Sequence, residues 1–203
     1  MRERLIRAAA IAFGKNGYER TRVADIVKIA KTSHGNFYRH FHNKDDALIA
    51  VLRPMLDEVY QASRRRTGSS LFLSEEEFVE NVAAYFAVYI EHRHLLRVMR
   101  EAAARGEQAS FFTLWMAERS RFIKRTAAWL LKLQQAGEIS ADIDPTLAAE
   151  ALGALTEQMT YIKIGLADVP PDADSIRRMG FHCAAIWYRG VFGHDRRNPV
   201  GRS

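Results

Sequence analysis

The stretch from Thr21 to Lys44, TRVADIVKIAKTSHGNFYRHFHNK, constrains this chain most, because its apolar residues form two short helical patterns separated by only a few polar positions. Val23, Ile26, Val27 and Ala30 share one side of a helix, and Thr21 before them is a suitable N-cap. Lys31 and Thr32 break the pattern. Ser33 is a second N-cap, and Phe37 and Phe41, four residues apart, stack on one inward face of the next helix. The outward face follows by default: Gly35, Asn36, Arg39 and His42 point away from the core, Tyr38 and His40 flank it, and His34 opens the helix.

Upstream, Leu5, Ile6, Ala9, Ala12 and Phe13 predict an amphipathic helix that ends near Gly17. Three short helices in succession each bury a face only against one another, so they make a small three-helix unit. Asn43 caps a longer fourth helix with Asp45 and Asp46 in its positive first turn, and Pro54 either kinks or breaks it. Residues 64–70, RRRTGSS, have the composition of a linker. Charge changes there too. Residues 1–66 carry 14 Lys or Arg against 7 Asp or Glu, a net of +7, whereas residues 67–203 carry 16 against 17, a net of −1. A basic surface of this kind favours nucleic acid or an anionic membrane, with a merely solubilising charge as the alternative.

The remainder shows no strand alternation and reads as helix throughout. Ser74 and Glu77 form a capping box before Phe78, Val82, Tyr85, Phe86 and Tyr89. A shorter helix carries Leu95, Leu96, Val98 and Met99. After Gly106 a long helix runs to about Gln135, with Trp115, Phe122 and Trp129 seven residues apart. Asp144 and Pro145 open a helix to Leu166, and the last helix runs from Asp174 to Phe192. Both closing helices are apolar on two faces. In the first of them, Leu152, Leu155, Met159, Ile162 and Leu166 are the expected core stripe, and Ala149, Gly153 and Thr156 the close-approach face for a second copy. The last helix carries two stripes, Ile176, Met179, Cys183 and Ile186 on one and Phe181, Ala185, Tyr188 and Phe192 on the other. A homodimer through these helices is expected, against the alternative that they are central in a larger monomeric bundle. No apolar run approaches the roughly 20 residues that span a membrane, the N-terminus lacks a signal-peptide cleavage region, and Cys183 is the single cysteine, which together suggest a cytoplasmic protein.

Residues 1–48 resemble the DNA-binding domain of the tetracycline-repressor (TetR) family of bacterial transcription regulators, through AFGKNGYERTRVADIV, SHGNFYRHF and NKDDAL. The wording around IVKIAKTSHGNFYRHF is similar to the multidrug-binding repressors of that family. The resemblance implies an all-α fold, with a helix-turn-helix DNA-binding domain at 1–48 and a helical effector-binding and dimerisation domain at 49–203. It also implies a ligand-responsive repressor of a double-stranded operator. One departure stands in the turn, where the family usually has glycine followed by an aliphatic residue and this chain has Lys31 and Thr32. Glycine enters a left-handed conformation without strain and lysine does not, although Lys31 adds a cation near bound phosphates.

On helix-turn-helix geometry His34, Asn36 and Arg39 are the candidate base readers, and Gly35 permits close approach. Tyr38, His40 and Lys44 match positions the family uses on phosphates, while Thr21, Arg22, Lys31 and Ser33 add contacts at helix starts and in the turn. The family's effector pocket is expected among Tyr85, Tyr89, Phe112, Trp115, Met116 and Met159, with Asn81, Gln158 and Thr160 as lesser polar contributors. No catalytic fingerprint is present, His92 and His94 lie on opposite sides of a helix, and neither a cofactor nor a metal is expected. A non-specific DNA-binding protein and a helical small-molecule carrier are the alternatives.

Overall fold

Local sequence sets each helix boundary in the computed structural model, which describes residues 1–63, 72–104 and 110–193. The expected linker at 64–70 and the expected helix start after Gly106 lie outside the described residues. Helix α1 (Arg2–Asn16) stops where Gly17 takes φ 78°, a left-handed value that glycine adopts without a Cβ penalty. Helices α2 (Val23–Ile29) and α3 (His34–Tyr38) follow, and α4 (Lys44–Ala62) starts at Asn43, whose side chain accepts a bond from the Asp46 N–H. Pro54 does not break α4, which continues through it.

The second half comprises α5 (Glu75–Glu91), α6 (Arg93–Ala103), α7 (Ser110–Gln135), α8 (Pro145–Thr160) and α9 (Ala173–Phe192). A π turn at Tyr161–Gly165 extends α8. Ser74 and Glu77 close the expected capping box, and Asp144 accepts from the Thr146 and Leu147 N–H groups with Pro145 in the first turn of α8. The chain is all-α, an N-terminal helix-turn-helix joined to a C-terminal helical bundle.

Leu5, Ala9, Phe13, Tyr18, Ile26, Phe37 and Phe41 are buried among α1, α2 and α3, with Phe13 stacked on Tyr18 at 5.8 Å and Phe37 tilted against Phe41 at 5.5 Å. Helix α4 joins this core to the second through Leu48, Leu52, Met55 and Leu56. In the bundle α9 lies along α5, where a Cβ on Gly180 would stand only 3.0 Å from that of Ala83. The Trp187 indole donates to Ala148 O at 2.8 Å and ties α9 to α8.

The faces of α8 divide only in part as expected. Of the expected core stripe Leu152 is buried and Leu155 and Met159 pack half-buried against the core, but Ile162 and Leu166, in and after the π turn, are 46 and 49% exposed. The expected close-approach face, Ala149, Gly153 and Thr156, is buried inside the chain's own bundle, where small residues let α7 approach closely, and Leu147 is 62% exposed. On α9, Ile176 and Cys183 are buried as the first stripe predicts, but Ile186 is 68% exposed. Phe181 is likewise exposed, although Ala185, Tyr188 and Phe192 of its stripe are not.

Candidate nucleic-acid interface

The turn between α2 and α3 keeps its shape with lysine in the glycine position. Lys31 has φ 48°, the one positive value outside glycine among the described residues. Its N–H donates to Lys28 O at 3.2 Å, and the Thr32 N–H reaches back to Val27 O at 3.0 Å. These are the paired bonds of a Schellman termination, which satisfies the last carbonyls of α2. Ser33 then caps α3 by accepting from the Asn36 N–H at 3.2 Å.

The start of α2 differs from expectation. Arg22, not Thr21, is the N-cap, and its N–H donates to Asp25 Oδ2 at 2.8 Å. Thr21 is 1% exposed, with its hydroxyl 2.6 Å from Gly17 O and 3.1 Å from Ala12 O. It fastens α2 to the end of α1, so its hydroxyl is not a surface contact.

Around α3, His34, Gly35, Tyr38, Arg39 and His40 are exposed, as are Arg22, Lys31 and Ser33. Gly35 is not demanded by internal packing, because the nearest atom to an added Cβ is Ser33 Oγ at 3.8 Å. Its missing side chain matters on the outer side, where it lowers the surface between His34 and Arg39. Asn36 is half-buried and its amide donates to Thr32 Oγ1 at 2.9 Å. The half-buried Lys44 ammonium donates to Tyr18 O at 2.9 Å and sits 4.2 Å from the Tyr18 ring centroid. The Tyr18 hydroxyl donates to the Asp45 carboxylate, and the Tyr18 N–H donates to Glu101 Oε2 at 2.8 Å. Lys44 therefore braces the junction of α1 and α4 as well as lying near the exposed face.

Behind this unit a cavity of about 280 Å³ opens within the bundle. Phe78, Val82 and Tyr85 of α5 line it with Phe122, Arg125, Thr126 and Trp129 of α7 and Leu152 and Thr156 of α8. Burial raises the Tyr85 hydroxyl pKa well above the usual phenol value and pushes that of Tyr89 up to about 12, so both stay neutral donors at ordinary pH.

The sequence profile of the bacterial regulatory proteins, tetR family, matches residues 5–51, the segment that forms α1 to the first part of α4. Residues 5–51 are a TetR-family DNA-binding segment. Over 205 residues it is 26% identical to the A-factor receptor protein of Streptomyces griseus, covering 98% of this chain and 67% of that protein. It is 43% identical over 68 residues to the HTH-type transcriptional regulator TtgR of Pseudomonas putida, covering 34% of this chain and only 32% of that protein. The solved structure of Salmonella enterica GusR superposes with a TM-score of 0.73 at 22% identity, covering 95% of each chain, a likeness of fold. This chain is a DNA-binding transcriptional regulator.

In this regulator the residues expected to meet an effector separate into those at cavities and those elsewhere. Tyr85 and Asn81 line the main cavity, and Tyr89 and Trp115 line two small neighbouring spaces, the second of which also includes Thr160. Phe112, Met116, Gln158 and Met159 line none of the three, and Met116 is 41% exposed. Arg125 and Thr126 escape a search for apolar stripes because they are polar. Trp129 and Phe122 do continue the seven-residue spacing from Trp115, and that signal marks the cavity wall. The buried Cys183 thiol has its pKa raised by burial. Among the described residues Glu58, Glu91 and His92 bring possible ligand atoms within 4.8 Å of one another, with His92 Nε2 at the α5–α6 junction hydrogen-bonded to Glu58 Oε2 of α4 at 2.8 Å.

Proposed function

We propose that this regulator is a ligand-responsive, sequence-specific repressor that binds its operator as a homodimer and leaves it when a small molecule enters the bundle. Residues 1–48 serve DNA and residues 49–203 serve effector and dimer. One observation carries the reading: an exposed basic helix-turn-helix face and an internal cavity are joined by α4, which follows α3 after five intervening residues, packs on α1 and ends beside the cavity at Ser63. The name of the Streptomyces griseus relative, a receptor, supports a ligand response.

His34 and Arg39 enter the major groove, Arg39 forking onto guanine, with Gly35 lowering the helix onto the bases. Asn36 joins them by exchanging its bond to Thr32 for one to a base. Tyr38, His40, Arg22, Lys31 and Ser33 hold phosphates, and Lys44 does so from its seat on Tyr18. The outward stripe of α8, Leu147, Ile162 and Leu166, with Ile186 of α9, meets its copy across a twofold axis. An effector that binds one α4 position more tightly than the other changes the separation of the two α3 helices, which must suit half-sites about 34 Å apart or a multiple of it.

Selection of bound duplexes from a random pool tests this directly. A specific motif should emerge, Arg39→Ala should relax its preference at one or two base pairs, and Lys31→Ala should weaken all sequences alike while reducing the salt slope by about 1. Equal retention of every duplex at fixed salt would leave a non-specific DNA-binding protein instead.

A further inference from the structure

Arg125 belongs to two structures at once. Its side chain lines the main cavity, and it is the ionisable group in that lining with a permanent charge. The same guanidinium holds the end of α4: Nη1 donates to Tyr60 O at 3.3 Å, and Nη2 donates to Ser63 O at 2.9 Å and Ser63 Oγ at 2.8 Å. It also lies 4.6 Å from the centroid of the Tyr60 ring. Cavity wall and helix terminus thus share one cation.

The remainder of the wall defines the body of a ligand. Phe78 and Trp129 stack with centroids 6.4 Å apart, and with Phe122 they offer flat apolar surfaces. The volume lies near the lower end of the roughly 300–1,000 Å³ common for small-molecule sites. Cationic ligands are disfavoured. The nearby carboxylates Glu118 and Glu157 line the adjacent small space, where Arg121 and Arg119 pair with them.

Resting on the repressor reading above, we infer that the effector is a carboxylate on an aromatic or alicyclic body, its acid group anchored by Arg125. A guanidinium takes a carboxylate through two parallel N–H bonds, charge-assisted and roughly twice as strong as neutral ones. The anchored acid competes with Tyr60 O and Ser63 O for the same N–H groups, so ligand entry loosens the grip of α7 on the end of α4. Arg125 is both anion anchor and transmitter. Arg121 supplies the comparison: it lies 4.1 Å from the centroid of the same Tyr60 ring and outside the main cavity lining.

Calorimetric titration of the full chain with biphenyl-4-carboxylate and biphenyl-4-carboxamide tests the anchor. The acid should bind at least tenfold more tightly than the amide, Arg125→Gln should bring the two within twofold, and Arg121→Gln should leave the ratio unchanged. Arg125→Lys, which keeps the charge without the fork, should give an intermediate ratio and serves if the glutamine variant does not fold. Equal affinities in the wild type, or a preference that survives both Arg125 changes, would overturn the inference. Transmission is read by anisotropy on a duplex recovered from the selection. Saturating acid should lower its affinity at least tenfold in the wild type, and acid that binds through Arg125 without moving DNA affinity would overturn the transmitter role. Should no duplex be selected, the repressor reading fails while the acid-to-amide ratio still decides the anchor.

Discussion

At the residue scale Lys31 is the informative position. A side chain in the left-handed region costs about 1–2 kcal/mol, and the Schellman bonds at Lys28 O and Val27 O hold it there. Lys31→Gly should raise the unfolding free energy by about 1 kcal/mol, less whatever glycine adds to the freedom of the unfolded chain. A urea midpoint at or below that of the wild type would refute the strain. The sequence made this position visible as a departure, but not its outcome, because the bonds that stabilise it lie in the backbone. Thr21 illustrates the opposite limit. Capping and burial both suit a threonine before an apolar run, and the choice fell to carbonyls of Ala12 and Gly17 that come from another helix.

At the scale of the element, α8 shows how far periodicity reaches. Its extent, its Asp144 cap and its two apolar faces were all legible, because they depend on local spacing and local chemistry. That the small-residue face would also be buried, leaving Ile162 and Leu166 outside, was not. That depends on how closely α7 approaches, and Gly153 and Ala149 suit a closer neighbour than Ile162 or Leu166 would allow. The same helix carries Glu157, whose burial raises its carboxyl pKa although Arg119 and Arg100 pull it down. A glutamate raised above its unfolded value is penalised when ionised, so this residue favours folding at low pH and ceases to do so as pH rises through its folded pKa. Glu157→Gln keeps an acceptor for Arg119 and removes the charge. It should raise the thermal midpoint at pH 7, and the difference from wild type should shrink as pH falls toward the ordinary carboxylate range. A lower midpoint at pH 7 would mean that the 3.5 Å pair with Arg119 outweighs desolvation.

For the whole molecule the cavity was less legible than the DNA-facing helix. His34, Gly35 and Arg39 are close in sequence, on a five-residue helix and its C-cap, whereas Phe78, Trp129 and Leu152 meet only after three helices pack. Exposure of Ile186 and Leu147 on adjoining helices leads to a prediction about assembly. Ile186→Asp should leave the fold intact, since the side chain is mostly in solvent, and should shift the protein from dimer to monomer in sedimentation at micromolar concentration. A monomeric wild type, or a dimer indifferent to the aspartate, would place the contact elsewhere.

Among the described residues two attachments hold the helix-turn-helix to the bundle. One attachment is the continuous chain of α4. The other is α6, where Glu101 accepts from the Tyr18 N–H and the His94 ring lies 3.2 Å from where a Cβ on Gly14 would be. A rigid body pinned at two separated points keeps a single freedom, rotation about the line between the pins. While both attachments hold, any loosening at the far end of α4 can swing α3 but cannot slide it, and the distance each recognition helix travels grows with its offset from that axis.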